Sequence, residues 1–291
     1  MNIECLVLSG GGHLGFIELG SLYHLEKEGF WDRTKIKSIY GTSIGTIIAV
    51  LIAVNLDWET INDYMIKRPW DKIFELKSNH ILQLFEDKGI YDEEISLKFI
   101  KPILDALDLS QDITLKEFFE ITNIEINFFT FNCTRCEIIK INYLNYPDLP
   151  LYKAIYMSSS IPVIFKPFIW KDEVYIDGGL ECNYPIKYAL ANYKEENIFS
   201  FKFNFNKLNY SINRDTTIFN YLFSIMMYSI LKNNLTTEEY KNEIIYESTS
   251  EEDIKYIIEV VYSFEKRQLL FDKGIELANL FLSNHSIAEL L

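Results

Sequence analysis

The chain has 291 residues, 48% of them hydrophobic and 24% charged, which is enough to bury a full core and rules out a disordered polymer. Its formal net charge of −14 argues against binding to a nucleic-acid backbone, which runs on Lys and Arg, and against broad electrostatic capture by anionic lipid. No basic region precedes the short apolar run Cys5–Leu8, and the longest apolar stretches, Ile47–Val54 and Phe223–Leu231, fall well short of the ~20 residues that a membrane span needs. The expectation is a cytoplasmic protein with no signal peptide or transmembrane segment, touching a membrane from one side at most.

In chain order, Ile3–Leu8 reads as a short buried strand that ends in a glycine turn. Leu14–Lys27 has helical spacing, with Leu19, Leu22 and Leu25 on one face and Gly29 as the stop. Lys37–Tyr40 is a second strand, and Ile44–Asn55 a nearly all-apolar helix that should be buried on every side. Strand–helix–strand–helix at the start implies an α/β layer with a parallel sheet. Residues 57–122 read as mostly helical. Glu125–Phe131 and Glu137–Tyr143 alternate as paired strands around an Asn132–Cys136 turn. Leu151–Ser159 reads as a helix, Phe168–Ile176 as a strand and Ile198–Phe205 as another. The tail from about Thr216 to Leu291 reads as a helical layer. Its apolar run Phe219–Leu231 fits a buried core helix, with a lid or interfacial helix as the alternative. No repeat or linker divides the chain, so one domain is expected, with a catalytic part over 1–200 and a helical extension over 201–291 packed on it.

Three segments carry chemistry. Gly10-Gly11-Gly12-His13-Leu14-Gly15 follows a strand and opens a helix. Its amides can converge, beside a helix N-terminus, on one negative oxygen, either a phosphate or the oxyanion of acyl transfer. The same glycines satisfy the dinucleotide pattern G-x-G-x-x-G. That pattern expects a carboxylate at the end of the second strand, where this chain has Tyr40-Gly41-Thr42-Ser43. Gly41-Thr42-Ser43-Ile44-Gly45 is a G-x-S-x-G between a strand and a helix, the setting of a nucleophile elbow. In Tyr175-Ile176-Asp177-Gly178-Gly179 a strand delivers a carboxylate into a glycine turn, which in isolation is an ordinary Asp-Gly turn.

A serine nucleophile needs a base, and histidine is the usual one. His13 lies inside the glycine loop, His24 mid-helix and His80 in a polar helical region. His285 has the C-terminal place of the α/β-hydrolase base, but in that fold several strands precede the nucleophile and here at most two do. The four cysteines include a Cys133/Cys136 pair at C-x-x-C spacing. No second pair of zinc ligands follows it, so all four read as ordinary reduced thiols.

Taken together, the segments resemble the patatin-like phospholipase family over about residues 3–190. The matches are Gly10–Gly15 with Gly20, Gly41–Gly45, Ser158-Ser159-Ser160-Ile161-Pro162, and Asp177–Gly179 followed by Asn183 and Pro185. The resemblance implies a three-layer α/β fold, with a central, mostly parallel sheet flanked by helices and a helical C-terminal part. It also implies a phospholipase A-like lipid acyl hydrolase that uses a Ser43–Asp177 dyad without histidine. In that scheme Gly10, Gly11, Gly12 and Ile44 form the oxyanion hole, and Gly15, Gly41, Gly45, Gly178 and Gly179 support the motifs. A phospholipid or other acyl ester is the expected substrate, with peripheral membrane contact and with no metal, cofactor or nucleic acid. One departure is Leu14, where the family usually has Arg or Lys; His13 is the neighbour that could restore a positive charge by taking up a proton. The rival readings are a weak or inactive lipid- or protein-binding relative and a dinucleotide-binding oxidoreductase.

Overall fold

The computed structural model of the chain describes residues 2–75, 84, 86–204, 212–233, 238–248 and 254–288. Eight strands form one sheet: β1 (Cys5–Leu8), β2 (Ser38–Gly41), β3 (Glu125–Asn132), β4 (Glu137–Ile141), β5 (Phe168–Trp170), β6 (Glu173–Asp177), β7 (Ile198–Asn204) and β8 (Glu243–Glu247). Their order is β5-β6-β3-β2-β1-β7-β8, with β4 also paired to β3. The centre is parallel (β3, β2, β1, β7 and β8), while β4, β6 and β5 join antiparallel. Strands β1 and β2 are buried along their whole length, as expected of a sheet covered on both faces by helices.

The helices are α1 (Gly15–Lys27), α2 (Ile44–Ala53), α3 (Trp58–Asn62), α4 (Glu94–Ala106), α5 (Leu115–Thr122), α6 (Leu151–Ser159), α7 (Gly179–Cys182), α8 (Ile186–Leu190), α9 (Ile218–Asn233), α10 (Ile254–Tyr262) and α11 (Phe264–Ala288). The nearly all-apolar α2 is sunk in the core as its composition requires, with Ile48 to Ile52 at most 1% exposed. The long C-terminal helix α11 lies along α1, and two glycines permit that approach. A side chain at Gly20 would meet the Phe271 carbonyl at 2.0 Å, and one at Gly274 the Ile17 carbonyl at 2.0 Å. The Ser21 hydroxyl closes the seam by donating to the Gly274 carbonyl at 2.8 Å.

Two sequence expectations need correction. The tail is not purely helical: Glu243–Glu247 is a strand paired in parallel with β7, its Ile244 and Tyr246 facing the core. Phe168–Ile176 is not one strand but the hairpin β5–β6, reversed at Lys171 and Asp172, both with positive φ. Neither is glycine, so the usual composition cue for a tight turn is missing.

One detail of register positions the site. Along a single edge of β3, β2 pairs as far as Gly41 opposite Phe128, and β6 takes over with Asp177 opposite Thr130. Strand β4 occupies the other edge over Phe128–Asn132. The C-terminal ends of β2 and β6 therefore abut, and residues distant in sequence leave the sheet side by side.

Candidate active site

Ser43 lies one residue beyond β2, after Thr42, and caps α2 with φ 53° and ψ −121°, a conformation that costs a non-glycine residue roughly 1–3 kcal/mol. The fold holds it there. The Ser158 hydroxyl accepts the Ser43 amide at 3.1 Å and donates to the Phe129 carbonyl at 2.6 Å. Phe129 is the residue of β3 left between the ends of β2 and β6. Thr42 donates its amide to Leu8 at 3.2 Å and its hydroxyl to Cys182 at 2.8 Å. Side chains at Gly15, Gly41 and Gly45 would collide with Ile44, the Gly45 carbonyl and the Leu8 carbonyl, respectively.

Asp177 ends β6, and its amide donates to the Ser160 carbonyl at 3.0 Å. The adjoining Gly178 lies tight against the Phe129 carbonyl, so the Ser158–Ser160 segment and β3 together fix both ends of the site. Carboxyl Oδ1 accepts the Gly179 amide at 2.7 Å. Oδ2 is buried and makes no hydrogen bond of ordinary geometry, although the Ser43 hydroxyl faces this carboxyl closely enough to favour its ionised form. Burial dominates and pushes the Asp177 pKa up to about 6, against the pull of the Gly179 amide and the Ser43 hydroxyl.

The glycine loop stands over this pair. The Gly11, Gly12 and Ile44 amides have no acceptor among the described residues, whereas the Gly10 amide donates to the Asn183 carbonyl at 3.0 Å. Gly10 therefore has no free donor, contrary to its expected place among the oxyanion-binding amides. Its role is spatial: a side chain there would lie 3.2 Å from Ser43 Cβ and 2.3 Å from Asn183 Oδ1. Asn183 clamps the loop, its carboxamide donating to the Gly10 carbonyl at 2.7 Å. Ser158 and Asn183 both lay within the sequence matches, but their roles depend on contacts across the fold that spacing does not reveal.

His13 lines the same cavity. Its ring stands edge-on to Tyr256 at 5.7 Å between centroids, and desolvation lowers its pKa to about 3. It is neutral at physiological pH and does not replace the missing cation. Leu14 points into the core, and no Lys or Arg lines the cavity among the described residues. Any oxyanion held here would be stabilised by amides and the N-terminus of α2 alone. His285 packs between Phe30 and Phe281, and His24 pairs with Asn279 at 2.8 Å; neither lines the cavity. His80 lies outside the described residues. No group of three or more His, Cys, Asp or Glu among the described residues is arranged to hold a metal ion.

The cavity over Ser43 and Asp177 measures about 110 Å³ and is walled largely by apolar side chains, among them Ile161, Pro162, Leu180, Phe223, Met227 and Ile230. The last three come from α9, and here too the structure departs from the buried core helix favoured by composition. One face of α9 walls the cavity while the other is exposed. The side chains of Phe219 and Leu231, at the ends of that apolar run, lie outside those described.

The family model for Patatin-like phospholipase matches residues 6–190, well over half of the chain. The chain belongs to the patatin-like phospholipase family. Among curated relatives, this patatin-like protein is 29% identical over 196 residues to the "Probable lipid hydrolase 463L" of Invertebrate iridescent virus 6, covering 67% of this chain and 66% of the relative. It is 30% identical over 184 residues to an uncharacterized protein of Acanthamoeba polyphaga mimivirus, covering 63% and 60%. The matched region thus spans slightly less than two thirds of each relative's length. Among solved structures, VipD from Legionella pneumophila superposes with a TM-score of 0.56 at 16% identity, over 98% of this chain and 67% of VipD, a likeness of fold. No helix of the described residues in this patatin-like protein is long and apolar enough to cross a membrane.

A mutation separates the role of Ser158 from those of Ser43 and Asp177. Ser158→Ala would leave the Phe129 carbonyl and the Ser43 amide without their partner in a fully buried place. The expected outcome is a loss of about 1–3 kcal/mol in denaturant unfolding. Any turnover that depends on Ser43 should fall with it through kcat, because the turn that presents Ser43 loses its anchor.

Proposed function

We propose that this protein is a lipid acyl hydrolase, a phospholipase A-like esterase that cleaves fatty-acyl esters through Ser43 and Asp177. One observation carries the reading. In an apolar cavity, a buried carboxyl whose pKa burial has pushed to about 6 faces a hydroxyl held on a strained turn. An ordinary aspartate is too weak a base for a serine; drying the site raises its basicity while leaving it mostly ionised at neutral pH. Family membership, together with the relative described as a probable lipid hydrolase, supports a lipid ester as the substrate class.

The Asp177 carboxylate takes the proton from Ser43 as Oγ attacks the ester carbonyl carbon. The negative charge on the carbonyl oxygen falls to the unclaimed amides of Gly11, Gly12 and Ile44, each such donor worth about 3–4 kcal/mol in the transition state. The tetrahedral intermediate expels the alcohol, which leaves with the proton held by Asp177, and the acyl group stays on Ser43. Water then gives a proton to Asp177, attacks the acyl carbon and releases the fatty acid, and the proton returns to Ser43. The acyl chain lies along Phe223, Met226, Met227 and Ile230, all of which wall the cavity.

A fluorophosphonate probe tests the nucleophile directly. Mass spectrometry of the labelled native protein is expected to find the adduct on Ser43 and nowhere else. A folded protein that stays unlabelled, or that is labelled at another serine, refutes the assignment.

A further inference from the structure

Most of the wall over Ser43 is apolar, but His13 and Ser248 also line it. Each carries one buried polar atom that has no hydrogen-bond partner among the described residues, Nε2 of His13 and Oγ of Ser248. Native folds keep few such atoms, because a buried group without a partner has lost its water and gained nothing for it. Neither residue is loosely held. Ser248 comes directly after β8 and is 1% exposed, its amide donating to the Asn204 carbonyl at the end of β7 at 2.8 Å. His13 stands in the short helical turn after β1, edge-on to Tyr256 of α10. Strands β2, β1, β7 and β8 are parallel neighbours, so Ser43, His13 and Ser248 all lie beyond the C-terminal ends of a parallel sheet, where ligands of open α/β sheets bind. Asp177 leaves the sheet on one side of Ser43, and His13 and Ser248 on the other. An ester with its carbonyl over Ser43 can thus extend along this row to reach both unclaimed atoms.

We propose that His13 Nε2 and Ser248 Oγ bind a hydroxyl on the alcohol part of the ester, so that the site selects glycerol esters with a free hydroxyl beside the scissile acyl group. The inference deepens the proposed hydrolase activity and rests on it for naming the ligand as an ester. The donor set selects the group. A serine hydroxyl donates and accepts, while the nitrogen of a neutral imidazole does one or the other according to tautomer. A ligand hydroxyl can satisfy both residues in either tautomer; a carbonyl oxygen, which only accepts, matches one tautomer, and a hydrocarbon matches none. Monoacylglycerols and lysophospholipids share this chemistry, a hydroxyl next to a single ester.

The test uses the full chain and two water-soluble esters, monobutyrin and propyl butyrate, which differ only in the glycerol hydroxyls. The parent's kcat/KM for monobutyrin is expected to exceed that for propyl butyrate by about a hundredfold or more, because a site built to hydrogen-bond a hydroxyl rejects the analogue that lacks it. Ser248→Ala and His13→Phe should each cut this ratio about tenfold, the weight of one good hydrogen bond. Ser248→Ala should not lower the urea midpoint, since the hydroxyl it removes has no partner to lose, and it carries the test alone if His13→Phe disturbs the glycine loop. A binding measurement needs no catalysis: butyl glyceryl ether, which has no ester to cleave, should raise the melting temperature of the parent more than that of Ser248→Ala. Turnover of butyrylglycerophosphocholine that falls with the same variants assigns a lysophospholipid as the source of the hydroxyl, and turnover of monobutyrin alone assigns a monoacylglycerol. The proposal is overturned by a parent that treats monobutyrin and propyl butyrate alike, by variants that lower both in equal measure, or by an ether that shifts parent and Ser248→Ala equally. Failure of the catalytic reading would look different: Ser43→Ala would cleave both esters as the parent does, while the ether still told the parent from Ser248→Ala.

Discussion

Replacing Ser43 with alanine is expected to reduce ester turnover by roughly four orders of magnitude or more while leaving the fold unchanged. The size follows from the chemistry. Without Oγ there is no acyl intermediate, and the amides of Gly11, Gly12 and Ile44 can only assist direct attack by water. The fold should tolerate the change because Ser43 is anchored through its backbone: its amide is held by Ser158, and its carbonyl accepts the Thr46 amide at 2.9 Å and the Thr46 hydroxyl at 2.7 Å. Steady-state hydrolysis of a soluble ester, with circular dichroism on the same sample, checks both halves. Retained turnover in a folded Ser43→Ala protein would remove the proposed mechanism.

Asp177→Asn should abolish activity to a similar extent and, at neutral pH, make the protein more stable. The Asp177 pKa is raised in the folded state to about 6 from an ordinary 3.8, because its surroundings are dry. A carboxyl shifted in that direction favours folding fully below about pH 4, and the advantage is lost as pH rises through about 6. By pH 8 the ionised group costs about 3 kcal/mol of stability. Asparagine carries no charge and can still accept the Gly179 amide, so the gain over the parent should be near zero at pH 4 and reach about 2–3 kcal/mol at pH 8. Urea unfolding at the two values measures it, and a gain that does not grow with pH would contradict the buried, ionising carboxyl. The parent's kcat/KM should rise over the same interval, levelling off above about pH 7, since only the ionised form can take the serine proton. His13, held neutral by burial, adds no second limb between pH 5 and 8.

The chemistry-bearing segments were legible in the sequence because each is local. A strand, a glycine turn and a helix start leave a composition signature within about ten residues, as at Gly10–Gly15 and Gly41–Gly45. What escaped notice was set by distant contacts. Glu243–Glu247 is bounded by acids and has only Ile244, Ile245 and Tyr246 between them, which reads as part of a helical tail until β7 is there to pair with it. The β5–β6 hairpin turns on Lys171 and Asp172, neither of which announces a left-handed backbone. That the Gly10 amide is occupied depends on Asn183, far along the chain, and the neutrality of His13 depends on burial that no local pattern encodes. The two faces of α9 are written in its periodicity, but which of them walls the cavity is decided only by the fold.

The meeting of β2 and β6 on one edge of β3 also determines what kind of change this site can absorb. Because the sheet and the Ser158–Ser160 segment bring hydroxyl and carboxyl together, the chain between residues 57 and 122 can grow or shrink without altering the reach between the two groups. A single residue inserted within β6 is a different matter. It would turn Asp177 to the opposite face of the sheet and leave Ser43 without the carboxyl that faces it, however intact the rest of the molecule remained.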